Sequence, residues 1–387
     1  MGHGFQKRRA AYGSSANVRG DVCVDVECQL AVEFIYTIYI KVSAHIETEH
    51  KKKEPTHKEP THKKPTPTTS NTTYTLITMP DDGPNGPTAI YNLLSSATKT
   101  IDMTMYELTD TQVTSILTTA ASKGISVRVI LDQNNEKSSN TDAYNTLTKG
   151  GVQVHWANPV YAVTHQKTIT VDSATSAIMT LNLTTEDYPT TRDFAVITND
   201  AADIAAIETT FAADFTNASI TPPTGDNLVW SPTNSRASIL GVINSATKTL
   251  LIAQEEMSDT GIESAIEAAL KRGVAVTLVQ ENMTGSYTAI LQTYKSDGAK
   301  VATYSSRTGY YIHAKAFLAD YNTAQATLFL GSENCTAASL NSNRELGLIF
   351  NDPTCMTGVY NAIMKDFNGG SQSLVVPANF VKPAIVQ

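Results

Sequence analysis

Two histidines stand out because the residues that follow each of them, at fixed intervals, have types that share in one chemistry. The first stretch reads His165-Gln166-Lys167-Thr168-Ile169-Thr170-Val171-Asp172 and the second His313-Ala314-Lys315-Ala316-Phe317-Leu318-Ala319-Asp320. Both are H-x-K-x-x-x-x-D. In an extended strand, residues i and i+2 project from one face, so each imidazole and its lysine ammonium would point into the same space. A nucleophile or acid beside a cation able to hold a non-bridging phosphate oxygen is an arrangement suited to phosphoryl transfer. Downstream of each motif come an asparagine, Asn182 or Asn334, and then an acidic residue, Asp193 or Glu345.

The elements that position these residues are duplicated. SSATKTIDM at 95–103 returns as NSATKTLLI at 244–252, and Gly124 in ASKGISVRVILDQN matches Gly273 in LKRGVAVTLVQEN, both at an offset of 149. RDFAVITND at 192–200 answers RELGLIFND at 344–352 at an offset of 152, as Asp214-Phe215 answers Asp366-Phe367. The histidines are 148 apart but the asparagines and late acids 152, so one four-residue insertion between Asp320 and Gly331 accounts for every interval. A longer hairpin around Asn322 is the expected form.

Each copy reads as an amphipathic helix (88–97; 235–246), a buried strand (99–106; 248–254), a helix capped by Asp110 or Asp259, and a Val/Ile-rich strand (125–131; 274–280). Basic residues followed by Gly124 or Gly273 stop the capped helix. A second helix and several short strands complete each copy. Strands alternating with helices give an α/β fold with parallel or mixed sheets. We therefore expect two duplicated α/β/α half-domains, residues 73–225 and 226–387, related by a pseudo-two-fold that brings equivalent loops face to face.

Residues 1–72 differ in kind. They hold 11 Lys/Arg against 8 Asp/Glu, whereas residues 73–387 hold 18 against 29. Five of the eight histidines fall in this first segment, two within the EPTHK repeat at 54–63, which leaves only His155, His165 and His313 in the body. Residues 51–70 are Lys, Pro and Thr without an apolar face and read as a solvated linker. The leader before them is expected to be disordered. Its basic start and apolar stretch at 34–40 resemble an export signal, but Asp21, Asp25, Glu27 and Glu33 interrupt it. Four cysteines are too few for a disulfide scaffold and show no zinc spacing; Cys23 with Cys28, and Cys335 with Cys355, are the pairs left open. The longest apolar run, 30–42, is too short to span a bilayer.

The paired motifs, each followed by Asn and then an acid, resemble the phospholipase D superfamily over about 310 residues. The second copy carries that family's Gly-Ser-x-Asn as Gly331-Ser332-Glu333-Asn334. The resemblance implies a phospholipase D-like phosphodiesterase with one shared site, a phosphohistidine intermediate, and neither metal nor cofactor. It makes His165 the nucleophile and His313 the acid/base, with Lys167, Lys315, Asn182 and Asn334 on the phosphoryl oxygens. Asp193 and Glu345 would orient the imidazoles, and Asp172 and Asp320 would serve structure. Ser332, its counterpart Thr180 and Tyr311 are expected to contact substrate. Two histidines that begin near pKa ~6.5 must be held in opposite protonation states for such a cycle.

The first copy departs from the pattern. Met179 stands where Gly331 does, removing the small residue expected to let backbone approach phosphate. Glu107 and Glu256, at equivalent strand ends, read as substrate contacts or a solvated rim, and Tyr161 and Tyr310 as entrance or packing residues. His155 has no counterpart and reads as a surface or hydrogen-bonded strand residue.

Three functions fit: hydrolysis or transfer of phospholipid headgroups, cleavage of nucleic-acid phosphodiesters, and phosphate binding without catalysis. The acidic body lacks the broad positive field that grips a polyanion, which favours phospholipid over nucleic acid. The short apolar run speaks against a membrane-embedded cardiolipin synthase. Two motifs in one chain imply a monomer, with peripheral membrane contact. A Thr/Ser/Asn-rich body on a polar tether fits an extracellular or extracytoplasmic enzyme.

Overall fold

The computed structural model describes residues 72–305 and 309–374. The readings of the leader, the linker, Cys23 and Cys28 lie outside the described residues. The first half begins with β1 (Tyr74–Met79), α1 (Asn85–Ser95), β2 (Thr100–Met105), α2 (Thr111–Ser122), β3 (Ser126–Leu131), α3 (Lys137–Lys149) and β4 (Gln153–Trp156). It continues through β5 (Thr168–Val171), β6 (Thr175–Met179), β7 (Thr191–Thr198) and α4 (Ala201–Phe215). The second half repeats the series. Its first part is β8 (Leu228–Ser231), α5 (Ser235–Ser245), β9 (Thr249–Gln254), α6 (Thr260–Lys271), β10 (Ala275–Glu281), α7 (Thr288–Ser296) and β11 (Lys300–Tyr304). Then follow β12 (Tyr311–Ile312), β13 (Lys315–Ala319), β14 (Thr327–Gly331), α8 (Ala337–Asn341), β15 (Glu345–Phe350) and α9 (Pro353–Gly369).

The local signals act as their chemistry requires. Asp110 accepts from the Gln112 and Val113 amides, and Asp259 from those of Gly261 and Ile262, which starts α2 and α6. Gly124 and Gly273 follow those helices at φ +84° and +85°, a region that costs other residues steric strain. The link from β5 to β6 is residues 172–174, while that from β13 to β14 is residues 320–326. The four extra residues thus lie in this second hairpin, with Asn322 at φ 62°.

The two sheets have matching strand orders, β1-β7-β6-β5-β2-β3-β4 and β8-β15-β14-β13-β9-β10-β11. Along each order, β2-β3-β4 and β9-β10-β11 are parallel and the other neighbours antiparallel, so both sheets are mixed. One face of the first sheet packs on α1, α2 and α3 through Ile90, Leu117, Leu147 and Met103. One face of the second packs on α5, α6 and α7 through Ile239, Ile266, Leu291 and Ile252. The opposite faces share a third core containing Ile178, Phe194, Val196, Leu251, Phe350, Leu330 and residues of α4 and α9. Apolar burial between the sheets therefore fixes one half against the other.

Polar chain crosses that junction reciprocally. Tyr311 and Ile312 of β12 pair in parallel with Thr191 and Arg192 of β7, and Thr164 bridges Arg344 in the equivalent way. Arg192 Nε donates to Asp366 at 2.6 Å, and Arg344 Nη2 to Asp214 at 2.9 Å. Each arginine thus pairs with the aspartate of the other copy. That reciprocity is what a pseudo-two-fold relation demands.

Candidate active site

The crossing backbone determines which groups meet. His165 N donates to Arg344 O at 2.9 Å, and His313 N to Arg192 O at 3.2 Å. Each histidine is thereby held beside the residue after the other copy's arginine, which is the late acid. His165 Nδ1 lies 2.8 Å from Glu345 Oε2, and His313 Nδ1 lies 2.8 Å from Asp193 Oδ1. With Nδ1 engaged, Nε2 is the ring nitrogen left for chemistry. Both imidazoles line one cleft of about 920 Å³ and are only 9% and 8% exposed.

The carboxylates are themselves positioned. Glu345 Oε1 accepts from Ser339 Oγ at 2.7 Å and Asn343 Nδ2 at 3.0 Å. Asp193 Oδ1 accepts from Thr180 Oγ1 at 2.5 Å. Burial would raise the Glu345 carboxyl, but His165 and Lys167 hold it below the usual carboxylate range. Burial pushes His165 below its ordinary value, with Glu345 opposing and Lys167 adding to the shift. A neutral ring with its proton at Nδ1 leaves a lone pair at Nε2.

The lysines are fully buried beneath this layer. Lys167 Nζ donates to His165 O at 2.8 Å and lies 4.7 Å from the centre of the Tyr106 ring. Burial and then the charge on Lys315 lower its pKa from 10.5 to about 7. Lys315 Nζ donates to His313 O at 2.5 Å and pairs with Glu255 Oε2 at 2.7 Å. Asn182 and Asn334 line the cleft, and the buried side-chain oxygen of each lacks a protein partner. The arrangement supplies a neutral imidazole, a second imidazole, and cationic and amide donors around one cavity.

Several sequence expectations are corrected here. Ser332 and Thr180 do not line the cleft. The Ser332 hydroxyl accepts from Leu346 N at 3.1 Å, and the Thr180 hydroxyl accepts from Phe194 N at 2.8 Å besides donating to Asp193. Both stitch the sheet behind the histidines rather than contact substrate. Gly331 is small for packing, not for phosphate: a Cβ there would come within 2.3 Å of the Gly347 Cα and of Glu333 Oε2. Met179 faces Ala195 across the equivalent strand pair and is buried in the first core.

Asp172 accepts from the backbone of Thr98, Lys99 and Thr100, and Asp320 from that of Thr247, Lys248 and Thr249. Each tethers its motif strand to the start of β2 or β9. Tyr311 lines the cleft and donates to Glu255 at 2.5 Å, whereas Tyr310 bonds Asp366 and Tyr161 packs on Arg344. His155 stacks on Phe215 and bonds its carbonyl. Cys335 and Cys355 are buried free thiols, so that pair forms no bridge.

Sequence reasoning missed Glu255, Tyr106, Glu136, Ser339 and Asn343. Glu255 and Tyr106 carried a signal, as the neighbours of the flagged Glu256 and Glu107 at equivalent strand ends. Glu107 and Glu256 do line the cleft, and burial raises the pKa of both.

The family model described as cardiolipin synthase, PLD-like domain, matches residues 90–215 and again 239–368. The chain belongs to the phospholipase D superfamily, and its site is one for phosphodiester chemistry. A phosphatidylserine synthase from Haemophilus influenzae is similar in structure at TM-score 0.59 and 13% identity, covering 77% of this chain and 86% of that one. A polyphosphate kinase from Porphyromonas gingivalis is similar at TM-score 0.58 and 15% identity, over 76% of this chain. The match spans about half of that kinase, 50% of its length. At these identities the likeness is one of fold. A search of curated proteins finds no match to the sequence.

Proposed function

We propose that the protein hydrolyses phospholipid headgroups as a phospholipase D-type phosphodiesterase, with transfer to an acceptor alcohol as a second outcome. The observation that carries this reading is the pair of crossed histidine–carboxylate contacts opening on one cleft. His165 Nε2 attacks phosphorus and forms an N–P bond. The P–O bond to the leaving alcohol breaks, and its oxygen takes a proton from His313 Nε2. Water or an alcohol then gives a proton to His313 and attacks phosphorus, releasing His165. The two asparagines that line the cleft stabilise the charge on the non-bridging oxygens, with the two lysines buried behind them supplying positive potential. The burial that keeps His165 neutral supports its assignment as nucleophile.

The lining favours lipid over nucleic acid. Six carboxylates, Glu107, Glu136, Glu186, Asp187, Glu255 and Glu256, face the cleft, and no Lys or Arg lines it among the described residues. A polyanion would meet that wall at every neighbouring phosphate, whereas a single phosphodiester meets it once. No helix among the described residues is long and apolar enough to cross a membrane. The reading therefore has one chain, holding both motifs, working from outside the bilayer on a lipid surface, in an extracytoplasmic setting that its Thr-rich body and polar tether suit.

The test is hydrolysis with EDTA present, comparing phosphatidylcholine vesicles with single-stranded DNA. Headgroup release is expected. DNA cleavage without it would establish a nuclease, and phosphate binding with neither activity a binding module. Covalent phosphoenzyme should accumulate in His313→Ala and be absent in His165→Ala; the reverse would exchange the two roles.

A further inference from the structure

Of the positions inside the cleft at which the two copies differ, one bears directly on the motif lysines. At the offset of 149, Tyr106 of the first copy corresponds to Glu255 of the second. Tyr106 lays its ring against His165 at 4.6 Å and against Lys167 at 4.7 Å, and brings no charge. Glu255 instead takes the donors of its own half. Its Oε2 receives Lys315 Nζ at 2.7 Å and Asn334 Nδ2 at 3.1 Å, and stands 3.7 Å from His313 Nε2. Its Oε1 receives the Tyr311 hydroxyl at 2.5 Å. One carboxylate oxygen thus touches the lysine and the asparagine and faces the reactive nitrogen of the histidine. A non-bridging phosphoryl oxygen would need those same partners. Glu255 also lines the cleft while Lys315 does not, so the carboxylate lies between the ammonium and incoming substrate.

We propose that Glu255 is a resident anion of the phosphoryl site, holding the place of a non-bridging oxygen on Lys315 and Asn334 until substrate displaces it. The inference rests on the reading of the cleft as a phosphoryl site. Two anions cannot share one ammonium at contact distance without strong repulsion, so binding and displacement are coupled. Glu255 then sets the affinity of the site for anions, and the first-half donors, with no carboxylate in that position, receive the phosphoryl group first.

Inorganic phosphate is the probe. Its Kd is measured by calorimetry at neutral pH for the wild-type chain, Glu255→Gln and Lys315→Met, with thermal melts confirming that each is folded. Removing the resident charge should tighten phosphate about tenfold in Glu255→Gln. Equal or weaker binding there, with binding lost in Lys315→Met, overturns this inference alone, because a carboxylate that only steadies Lys315 would behave so. Phosphate bound by neither wild type nor Glu255→Gln overturns both the inference and the phosphoryl reading. A wild-type crystal soaked in phosphate tests the same point without a variant. The Glu255–Lys315 contact should open beyond about 4 Å, the usual reach of an ion pair; contact kept at 2.7 Å beside a bound phosphate overturns the proposal.

Discussion

His165 Nδ1 and Glu345 Oε2 are 2.8 Å apart although 180 residues separate them in the chain. The carboxylate that fixes each imidazole comes from the other copy, so neither half holds a complete histidine–acid pair. Glu345→Gln should therefore disable His165 without unfolding the protein. The amide keeps the shape but loses the charge and favours the wrong tautomer. We expect kcat to fall roughly 10²- to 10⁴-fold with a smaller change in KM, measured by steady-state headgroup release. An unchanged kcat would remove Glu345 from the mechanism.

The arginine–aspartate exchange should matter to stability in the same reciprocal way. Arg192 is wholly buried and depends on Asp366, with help from Asp81. Asp366→Ala leaves a guanidinium without its main partner and should cost roughly 3–5 kcal/mol in urea unfolding. A loss below about 1 kcal/mol would show that Asp81 suffices.

Lys167 gives a pH-dependent prediction. Its pKa is lowered from 10.5 to about 7 in the folded chain, so between those values the unfolded chain holds a proton that the folded one lacks. Stability from this group is full above pH 10.5 and is lost as pH falls, reaching its minimum below about 7. Lys167→Met should abolish headgroup release yet stabilise the fold, by roughly 1–4 kcal/mol at about pH 6 and progressively less toward about pH 10. Melting temperatures across that range check the sign; a variant less stable at the acid end would contradict it.

Glu333 offers the opposite case. It is buried with both carboxyl oxygens unpartnered, and burial raises its pKa well above the usual value, with Glu345 adding to the shift. The first copy has Leu181 at the equivalent place. As pH rises above about 4.5 the unfolded chain sheds a proton that the folded chain keeps, so stability falls. Glu333→Leu should stabilise by roughly 1–3 kcal/mol at about pH 7 and by less at about pH 4, read from denaturant midpoints. A destabilised variant at neutral pH would mean that the carboxyl serves the site.

Linear spacing carries local and repeated information, and that much is legible in the chain alone. The duplication, the H-x-K pairs, the Asp110 and Asp259 caps and the four-residue hairpin insertion each depend on a few neighbouring residues or on comparing one copy with the other. Tertiary structure decided the partnerships. Asp193 and Glu345 stand in register with both histidines, so no interval distinguishes a carboxylate that serves its own half from one that serves the other. Docking of the two sheets through a shared apolar core resolves it, by laying β12 along β7 and Thr164 beside Arg344. Strand pairing within each half turned Ser332 and Thr180 to backbone and carboxylate partners, and placed Glu255 on Lys315. Which of these residues share one cleft is settled only when the two halves pack together, because the lining comes from both.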